Sequence, residues 1–559
     1  AATLTDVARR AGVSLATASR AHNGSATRQV GQALRDRVRQ AAAELDYSPN
    51  AQAQAMARGT TATLGLVVHD IADPYFSTIA AGAAATAGSV GSVRHAAAFQ
   101  GASTMHDIPP LDGDIRNDPA SLSAAATDFG QLVRRTPRYV VRPGSEHDIS
   151  RALRWAAARQ YPVAPQGRRH SVFGRSLVER GMVIDLTSLR AVSAVQGDQV
   201  IVEAGATWTE VLAATLPHGL APAVLPDYLG LSVGGTLAVG GVGGTTSRFG
   251  LVTDNVTGMR VVTGDGTLLE CSPDREPELF DALRAGLGQV GVITRASLRL
   301  VPAPRQVRRL QLVYANLDAL LADQRLLAED PRFDAVQGAA VATPRGWSFR
   351  LDIVKGMVDS MLDDERLLAG LSDERARARI ATMPNLEYLG RLNALEQALR
   401  ANGQWQHPHP WLTTFIGGIR APVFVAEELA KLRPEDLGPF GQVVMSAFRR
   451  DAVHTPLIRL PAEPVVHAFN LIRVPDTPDR ARAERLVADN RRIYQRLRDA
   501  GGTLYPVSAM PMSQDDWRRH FGPAFTALQA ARRRFDPAGL LTPGYELFRD
   551  RRPAATPNG

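Results

Sequence analysis

Cysteine is almost absent from this chain, which has one such residue, Cys271, among 559. A single cysteine excludes a framework of intramolecular disulfides and any zinc site built from cysteines, and we predict no metal site. The sequence has no run of about 18 apolar residues, so it predicts no membrane-spanning helix and no membrane partner. The low cysteine content is compatible with a reducing compartment, and we expect a cytoplasmic protein.

Positive charge is concentrated near the N-terminus. The whole chain has a formal net charge of +8. Residues 1–60 contain eight Arg and four Asp or Glu, so about a tenth of the chain carries +4, half of the total. Apolar residues make up 45% of the sequence and are spread along it, which is typical of folded domains rather than disorder. The basic start therefore favours a small nucleic-acid-binding domain ahead of a larger body.

The first residues predict three short helices. A Thr and Asp capping signal begins a helix over residues 4–11, and a Gly12-Val13-Ser14 turn follows. Ser14 can cap a second helix that ends near Arg20, and apolar spacing predicts a third over residues 32–45. A helix, a glycine turn and a second helix form the geometry that places a recognition helix in the DNA major groove. The residues facing DNA would be Ser14, Leu15, Ala16, Ser19 and Arg20.

This segment resembles the LacI family of bacterial repressors, in the strings TLTDVARRAGVSLATASRAHNGS, ELDYSPNAQAQAMARG and TLGLVVHDIADPYFSTIAAG. The resemblance implies a domain with its hinge at 1–58, where Asn50 lies at the start of the hinge helix and Met56 is the apolar wedge in the minor groove. The match ends after Ala87, so residues 59–105 are expected to be a sensor remnant and linker. Two interpretations stay open: a fused fragment that regulates nothing, or a headpiece that binds DNA weakly.

Strands and helices alternate from Val140 onward, and several strands end in glycine-rich loops. The densest glycine segment runs from Gly234 to Gly244 and contains six glycines. Its hydroxyl residues and apolar flanks favour an anion cradle over a flexible tether. No Gly-Lys-Ser/Thr follows, so the segment is not a P-loop. It also lacks the strand–helix setting and the following acidic residue of a Rossmann fingerprint.

From Leu111 to the C-terminus, the chain resembles the vanillyl-alcohol-oxidase (PCMH-type) FAD-binding fold, and within it the cytokinin dehydrogenases. The matching strings include PQGRRHSVFGRS, PDYLGLSVGGTLAVGGVGG, LFDALRAGLGQVGVITRA, HPWLTTF and FDPAGLLTPGYELF. The resemblance implies an α+β protein whose PCMH-type FAD-binding domain spans 106–301. A substrate domain at 302–507, a return of the chain to the FAD domain at 508–550 and a disordered tail at 551–559 would follow.

The resemblance implies FAD as cofactor, bonded through its 8α-methyl carbon to His170. In the family motif Gly-x-Gly-His-Ser, this chain has Arg169 in place of the second glycine, which puts the bond but not FAD binding in question. The residues implied to contact the cofactor are Gln166, Gly167, Arg168, Arg169, His170, Ser171, Gly174, Asp227, Tyr228, Ser232, Gly234, Gly235, Thr236, Gly240, Gly241, Gly243, Gly244, Ile293 and Tyr545.

The resemblance also implies a catalytic role for Asp227, which would accept the substrate proton as hydride leaves the neighbouring carbon for flavin N5. Two further candidates depart from plant cytokinin dehydrogenases. Gln337 replaces a glutamate that holds the substrate there, and His467 occupies the position expected for a tyrosine. Dehydrogenation of an amine or alcohol is therefore expected, with O2 or a quinone-like electron acceptor, while the substrate itself stays open between cytokinin and a compound of secondary metabolism. The alternative is a DNA-binding regulator with a flavin-containing sensor.

Overall fold

The computed structural model describes residues 3–23, 31–45, 109–330, 332–357 and 362–548. The chain divides into two compact units, Ala1–Asp107 and Ile108–Gly559. Each unit is considered separately below. The predicted hinge with Asn50 and Met56, the sensor remnant at 59–105 and the tail at 551–559 lie outside the described residues.

The described part of the first unit contains three helices. They are α1 (Leu4–Arg10), α2 (Leu15–Asn23) and α3 (Gln32–Glu44). Thr3 and Asp6 form a capping box at the start of α1. Gly12 has φ +65°, a conformation that glycine adopts without strain, and it turns the chain between α1 and α2. Apolar side chains from all three helices form the small core, among them Val7, Ala18 and Val38.

Two sheets form the N-terminal half of the second unit. The first has the strand order β1-β2-β4-β3, with helices α4 and α5 in the connections between strands. Its strands and helices are β1 (Asp114–Arg116), α4 (Pro119–Ala125), β2 (Tyr139–Arg142), α5 (Glu146–Ala158), β3 (Val163–Gln166) and β4 (Met182–Asp185). The strands β2, β3 and β4 run parallel, and the loop after β3 carries the predicted flavin-binding histidine.

The second sheet has the order β5-β9-β7-β8, and β6 also pairs with β9. Its elements are β5 (Gln199–Glu203), α6 (Trp208–Thr215), β6 (Leu220–Pro222), α7 (Val233–Val239), α8 (Thr246–Phe249), β7 (Val256–Thr263), β8 (Leu268–Cys271), α9 (Pro277–Leu283) and β9 (Gly291–Pro302). The glycine-rich segment of the sequence forms α7 and the loop between α7 and α8.

An eight-stranded antiparallel sheet follows, in the order β13-β10-β12-β11-β15-β16-β14-β17. Its strands are β10 (Gln306–Tyr314), β11 (Ala335–Thr343), β12 (Gly346–Gly356), β13 (Arg379–Pro384), β14 (Leu412–Gly417), β15 (Gln442–Arg449), β16 (Val465–Ile472) and β17 (Thr503–Leu504). The helices among them are α10 (Leu317–Glu329), α11 (Asp364–Leu367), α12 (Asn385–Leu389), α13 (Asn393–Ala401), α14 (Ala421–Lys431), α15 (Pro434–Leu437) and α16 (Arg480–Asp499).

The chain ends by returning to the first part of this unit. Helices α17 (Gln514–Phe521) and α18 (Ala524–Phe535) are followed by Leu541, which bridges to Val163 of β3. The buried Trp517 donates its indole N–H to the Tyr545 carbonyl at 3.0 Å, which fixes the last turn. In the described part of the chain, no helix is long and apolar enough to cross a membrane. The same residues contain no cluster of three or more His, Cys, Asp or Glu that could hold a metal.

Removal of residues 1–107 tests the independence of the second unit, which has its own extensive apolar core. We expect the shortened chain to keep the flavin content of the full chain and a melting temperature within about 2 °C of it. Flavin absorbance per chain and calorimetry measure these quantities. Insoluble or flavin-free shortened protein would contradict the division.

Candidate active site

A cavity of about 500 Å³ lies within the second unit. This volume is in the range of sites that bind small molecules or cofactors. Loops of the two smaller sheets line one part of it, and one face of the eight-stranded sheet lines another. The lining side chains of that face alternate along two strands and are Gln442, Val444, Ser446, Ala468, Asn470 and Ile472.

Glycines line the cavity where the backbone is closely approached by other groups. A Cβ atom on Gly167 would lie 2.1 Å from Ser232 Oγ, and one on Gly234 would lie 2.7 Å from the Ala204 methyl carbon. On Gly243 it would lie 2.0 Å from the Leu225 carbonyl oxygen. Side chains are therefore excluded at these positions. Backbone lines this wall, as an extended phosphate-containing group requires.

A buried carboxyl, Asp128, organises the loop after β3. Its Oδ2 accepts hydrogen bonds from Ser171 Oγ at 2.8 Å and from the Gly174 amide at 2.7 Å. Burial raises the pKa of Asp128 to about 6, although these two hydrogen bonds lower it. Asp128 was not predicted as a site residue: its string TDFG lies within the region of the FAD-domain resemblance, but no local pattern marks the residue for a role.

Arg169 adopts φ +54°, in the left-handed region that glycine occupies most easily. Its carbonyl accepts a hydrogen bond from the Phe129 amide at 2.8 Å, and its guanidinium donates to the Ala124 carbonyl. The family's glycine therefore matches the backbone conformation of this turn. In this chain the position is an arginine, whose side chain is hydrogen-bonded to the Ala124 carbonyl. The left-handed backbone conformation costs this residue about 1–2 kcal/mol.

His170 lies in a stack of three rings that line the cavity. Its imidazole is 4.0 Å from the Phe129 ring at an interplanar angle of 20°, and Phe129 is 4.1 Å from the His409 ring at 22°. Burial, and then the nearby His409, Arg400 and Arg168, lower the pKa of His170 to about 3. Burial also lowers the pKa of His409 to about 4. Both imidazoles are therefore neutral at neutral pH.

The carboxylate of Asp227 lines the same cavity and is bound on both oxygens. Arg391 Nη2 donates to Oδ1 at 2.6 Å, and Gln337 Nε2 donates to Oδ2 at 2.6 Å. The Arg391 guanidinium also lies 4.7 Å from the centre of the Tyr388 ring. Burial lowers the pKa of Arg391, but Asp227 and Tyr388 outweigh it, so that the pKa is raised overall.

Tyr228 follows Asp227 and connects it to α13. Its ring lies 4.9 Å from that of His170. Burial raises the pKa of Tyr228 to about 12, with a further contribution from its hydrogen bond to Glu396. Glu396 pairs with Arg400 one turn later on α13 at 2.8 Å, and Arg400 lies over the Trp405 ring. Consecutive residues of one loop thus contact Arg391 and α13.

Most residues expected from the sequence to form the site line this one cavity. They are Gly167, Arg168, Arg169, His170, Ser171, Asp227, Tyr228, Ser232, Gly234, Gly235, Thr236, Gly241, Gly243, Ile293, Gln337 and Tyr545. Gln166, Gly174, Gly240 and Gly244 do not line it. Gln166 lies beneath the loop and donates to the Ser176 carbonyl at 2.8 Å, and Gly174 binds Asp128.

His467 does not line the cavity, so the geometry lends no support to its predicted catalytic role. It is buried on the opposite face of β16, beside Leu321 and Arg325 of α10, whereas Ala468 and Asn470 face the cavity. Side chains alternate between the two faces of a strand, so an alignment shifted by one residue puts a side chain on the wrong face.

Several cavity residues were not predicted from the sequence, among them Arg391, His409 and Tyr505. The Tyr505 hydroxyl accepts a hydrogen bond from the Gly241 amide at 3.0 Å. This bond joins the end of β17, in the eight-stranded sheet, to the glycine-rich loop. His409 lies within HPWLTTF, a string that was recognised without assigning this residue a role. Nothing in the local pattern around Arg391 marks it, because its partner is distant in sequence.

In the first unit, Ser14 accepts a hydrogen bond from the Thr17 amide at 3.2 Å and caps α2. Leu15 and Ala16 are exposed at the start of that helix. The side chains of Ser19 and Arg20, like Asn50 and Met56, lie outside the described residues. Contact of these residues with DNA stays a prediction.

Three protein families match the chain. Residues 137–272 match the FAD binding domain family, and residues 354–548 match the family described as "Cytokinin dehydrogenase 1, FAD and cytokinin binding". Residues 3–50 match the lacI family of bacterial regulatory proteins. The predicted FAD domain and LacI-like segment are both confirmed at the level of family.

Relatives match over most of the second unit. An uncharacterized oxidoreductase of the fasciation locus of Rhodococcoides fascians is 37% identical over 442 residues, which cover 79% of this chain and 100% of the relative. Cytokinin dehydrogenase 6 of Oryza sativa subsp. japonica is 32% identical over 492 residues, 79% of this chain and 92% of the relative.

A solved structure shares the fold. The 6-hydroxy-D-nicotine oxidase of Arthrobacter nicotinovorans superposes with a TM-score of 0.62 at 21% identity, over 77% of this chain and 96% of the other. This likeness confirms the PCMH-type α+β fold that the sequence predicted.

Asp128→Asn provides a test of the buried carboxyl that holds the His170 loop. Since the folded-state pKa is raised to about 6, stability from the bound proton is present below the unfolded pKa of about 3.9 and is lost as pH rises through 6. Asparagine accepts the same two hydrogen bonds without ionising. The free energy of unfolding of the variant, relative to that of the wild-type protein, should therefore increase by about 2 kcal/mol between about pH 4.5 and about pH 7.5. Urea unfolding at both values measures it, and a constant difference would contradict the prediction.

Proposed function

Since the chain belongs to the cytokinin dehydrogenase family of FAD-dependent oxidoreductases, we propose that it dehydrogenates a carbon bearing an amine or alcohol group. Asp227 is the base in this proposal, and FAD is bonded to His170. The observation that carries it is the placement of Asp227, His170 and the glycine-lined wall around one cavity. The helix-turn-helix unit adds a DNA-binding alternative, which the family matches of the second unit do not favour.

The residues of the cavity suit FAD. Glycines at 167, 234 and 243 line the cavity with backbone, on which a pyrophosphate can be bound, and Arg168 and Arg175 supply positive charge nearby. Gly174 and Ser171 keep the near loop in place through Asp128, while Gly240 and Gly244 shape the far loop. Bound FAD supplies the acceptor for a hydride. The side chains of the protein carry out the remaining steps.

His170 is suited to attach the flavin because its imidazole is neutral and has an available nitrogen lone pair. The stack with Phe129 and the turn at Arg169 fix the direction of the ring. The new bond would replace one hydrogen on the imidazole and one on the flavin 8α-methyl carbon, and the two electrons and two protons released would pass by way of the flavin to O2. The covalent protein would therefore weigh as much as the chain plus FAD minus two hydrogens.

Asp227 accepts the proton of the substrate N–H or O–H group while hydride leaves the neighbouring carbon. Arg391 and Gln337 each occupy one lone pair of the carboxylate, so the other lone pairs remain for the substrate. Loss of a proton and a hydride gives an imine or a carbonyl product. O2 or a quinone-like compound then takes up the two electrons. An amine or alcohol of secondary metabolism fits this reaction.

Intact-mass measurement tests the covalent bond. Wild-type protein should carry the increment described above, and His170→Ala should lose it while retaining some dissociable flavin. Phe129→Leu serves as a companion variant that removes the stacked ring and keeps the imidazole. An unmodified mass for wild-type protein that is loaded with flavin would rule out the bond.

Asp227→Asn tests the base, because the amide keeps the shape of the side chain but cannot take the proton. Flavin reduction by a substrate found in a screen of aryl and allylic amines and alcohols should slow by about 10²–10⁴-fold. Reoxidation of chemically reduced enzyme and the flavin content should stay within a few-fold. Stopped-flow absorbance follows both half-reactions, and reduction at the wild-type rate would remove Asp227 from the mechanism.

A further inference from the structure

The acidic side chains that line the cavity are each paired with an arginine. Within the described residues these acids are Asp227 and Glu396. Arg391 lies 2.6 Å from Asp227, and Arg400 lies 2.8 Å from Glu396. The histidines of the lining, at 170 and 409, are neutral at neutral pH, as described above. This part of the cavity therefore has no unpaired negative charge to attract a cation.

Arg391 is held in place on several sides. Only 14% of its side chain is exposed, against 36% for Asp227. The guanidinium lies against the Tyr388 ring, and Arg309, which binds Asp352, lies near the same ring. A substrate would meet an unpaired Asp227 carboxylate only if it broke both the ion pair with Arg391 and the stacking of Arg391 on Tyr388.

Gln337 adds no charge to this arrangement. Its Nε2 must donate to Asp227, because a carboxylate has no hydrogen to offer, so its Oε1 remains an acceptor. A glutamate at 337 would place a second carboxylate against Asp227. The chain thus presents two kinds of acceptor to a substrate. One is the uncharged amide oxygen of Gln337, and the other is the free lone pairs of the Asp227 carboxylate, whose negative charge is balanced by Arg391.

We propose that Arg391, together with Gln337, makes this enzyme selective for uncharged substrates that carry an N–H or O–H donor, and that it rejects protonated aliphatic amines. The inference rests on the proposed function of Asp227. An uncharged donor binds the free lone pair without disturbing the ion pair. An ammonium group loses hydration and meets a balanced pair together with the positive end of Arg391.

Two ligands of equal size, one uncharged and one cationic, test the proposal. The probes are 2-phenylethanol and 2-phenylethylamine, the latter protonated at neutral pH. Calorimetric titration of the wild-type holoenzyme should give a dissociation constant for the alcohol at least about tenfold below that for the ammonium. Arg391→Gln should reduce or invert this ratio, and Gln337→Glu should shift it in the same direction. Arg391→Lys should keep it, because the charge remains.

Arg480→Gln is the matched control, since it removes one positive charge from an exposed side chain of α16 that does not line the cavity. It should leave the ratio unchanged. Wild-type enzyme that binds the ammonium as tightly as the alcohol would overturn the proposal, and so would an unchanged ratio in Arg391→Gln. If either result is found while Asp227→Asn still slows flavin reduction, the proposal of charge selection fails but the assignment of Asp227 as the base stands.

Discussion

The carboxylate of Asp227 joins three segments that are far apart in sequence: the loop before α7, strand β11 and the turn between α12 and α13. Gln337 reaches it from β11, and Arg391 reaches it from that turn. Because both oxygens are bound, the position of the carboxylate is fixed by the packing of the large sheet against the glycine-rich loops. The catalytic proposal, the charge of the cavity and the placement of α13 all depend on these two contacts.

The position of the loop that carries His170 has a similar origin. Asp128 lies in a segment before β2, yet it holds Ser171 and Gly174 of the loop after β3. Burial raises the pKa of Asp128 even with these hydrogen bonds, so the carboxyl fixes the shape of the loop at some cost in stability when it is ionised. Arg169 shows the same balance, because it occupies a left-handed turn that glycine would fill more easily.

Local patterns predicted the elements well, and long-range contacts poorly. The helices expected over residues 4–11 and 32–45 form α1 and α3. Glycine-rich strings located part of the cavity wall, because positions that exclude side chains leave a signal in the sequence. Arg391 left none, since its partner is Asp227, over a hundred residues away. The position of His467 was equally hard to predict, because a shift of one residue in a strand reverses the face and the string alone does not show the register.

The most direct test of this account is a crystal structure of the flavin-loaded chain. It should place the pyrophosphate against Gly167 and the Gly234–Thr236 segment, and the flavin 8α-carbon on His170. Asp227 should remain bound to Arg391 and Gln337, with its free lone pairs towards the substrate side of the cavity. Flavin density elsewhere in the cavity, or an Asp227 carboxylate released from Arg391, would contradict the account.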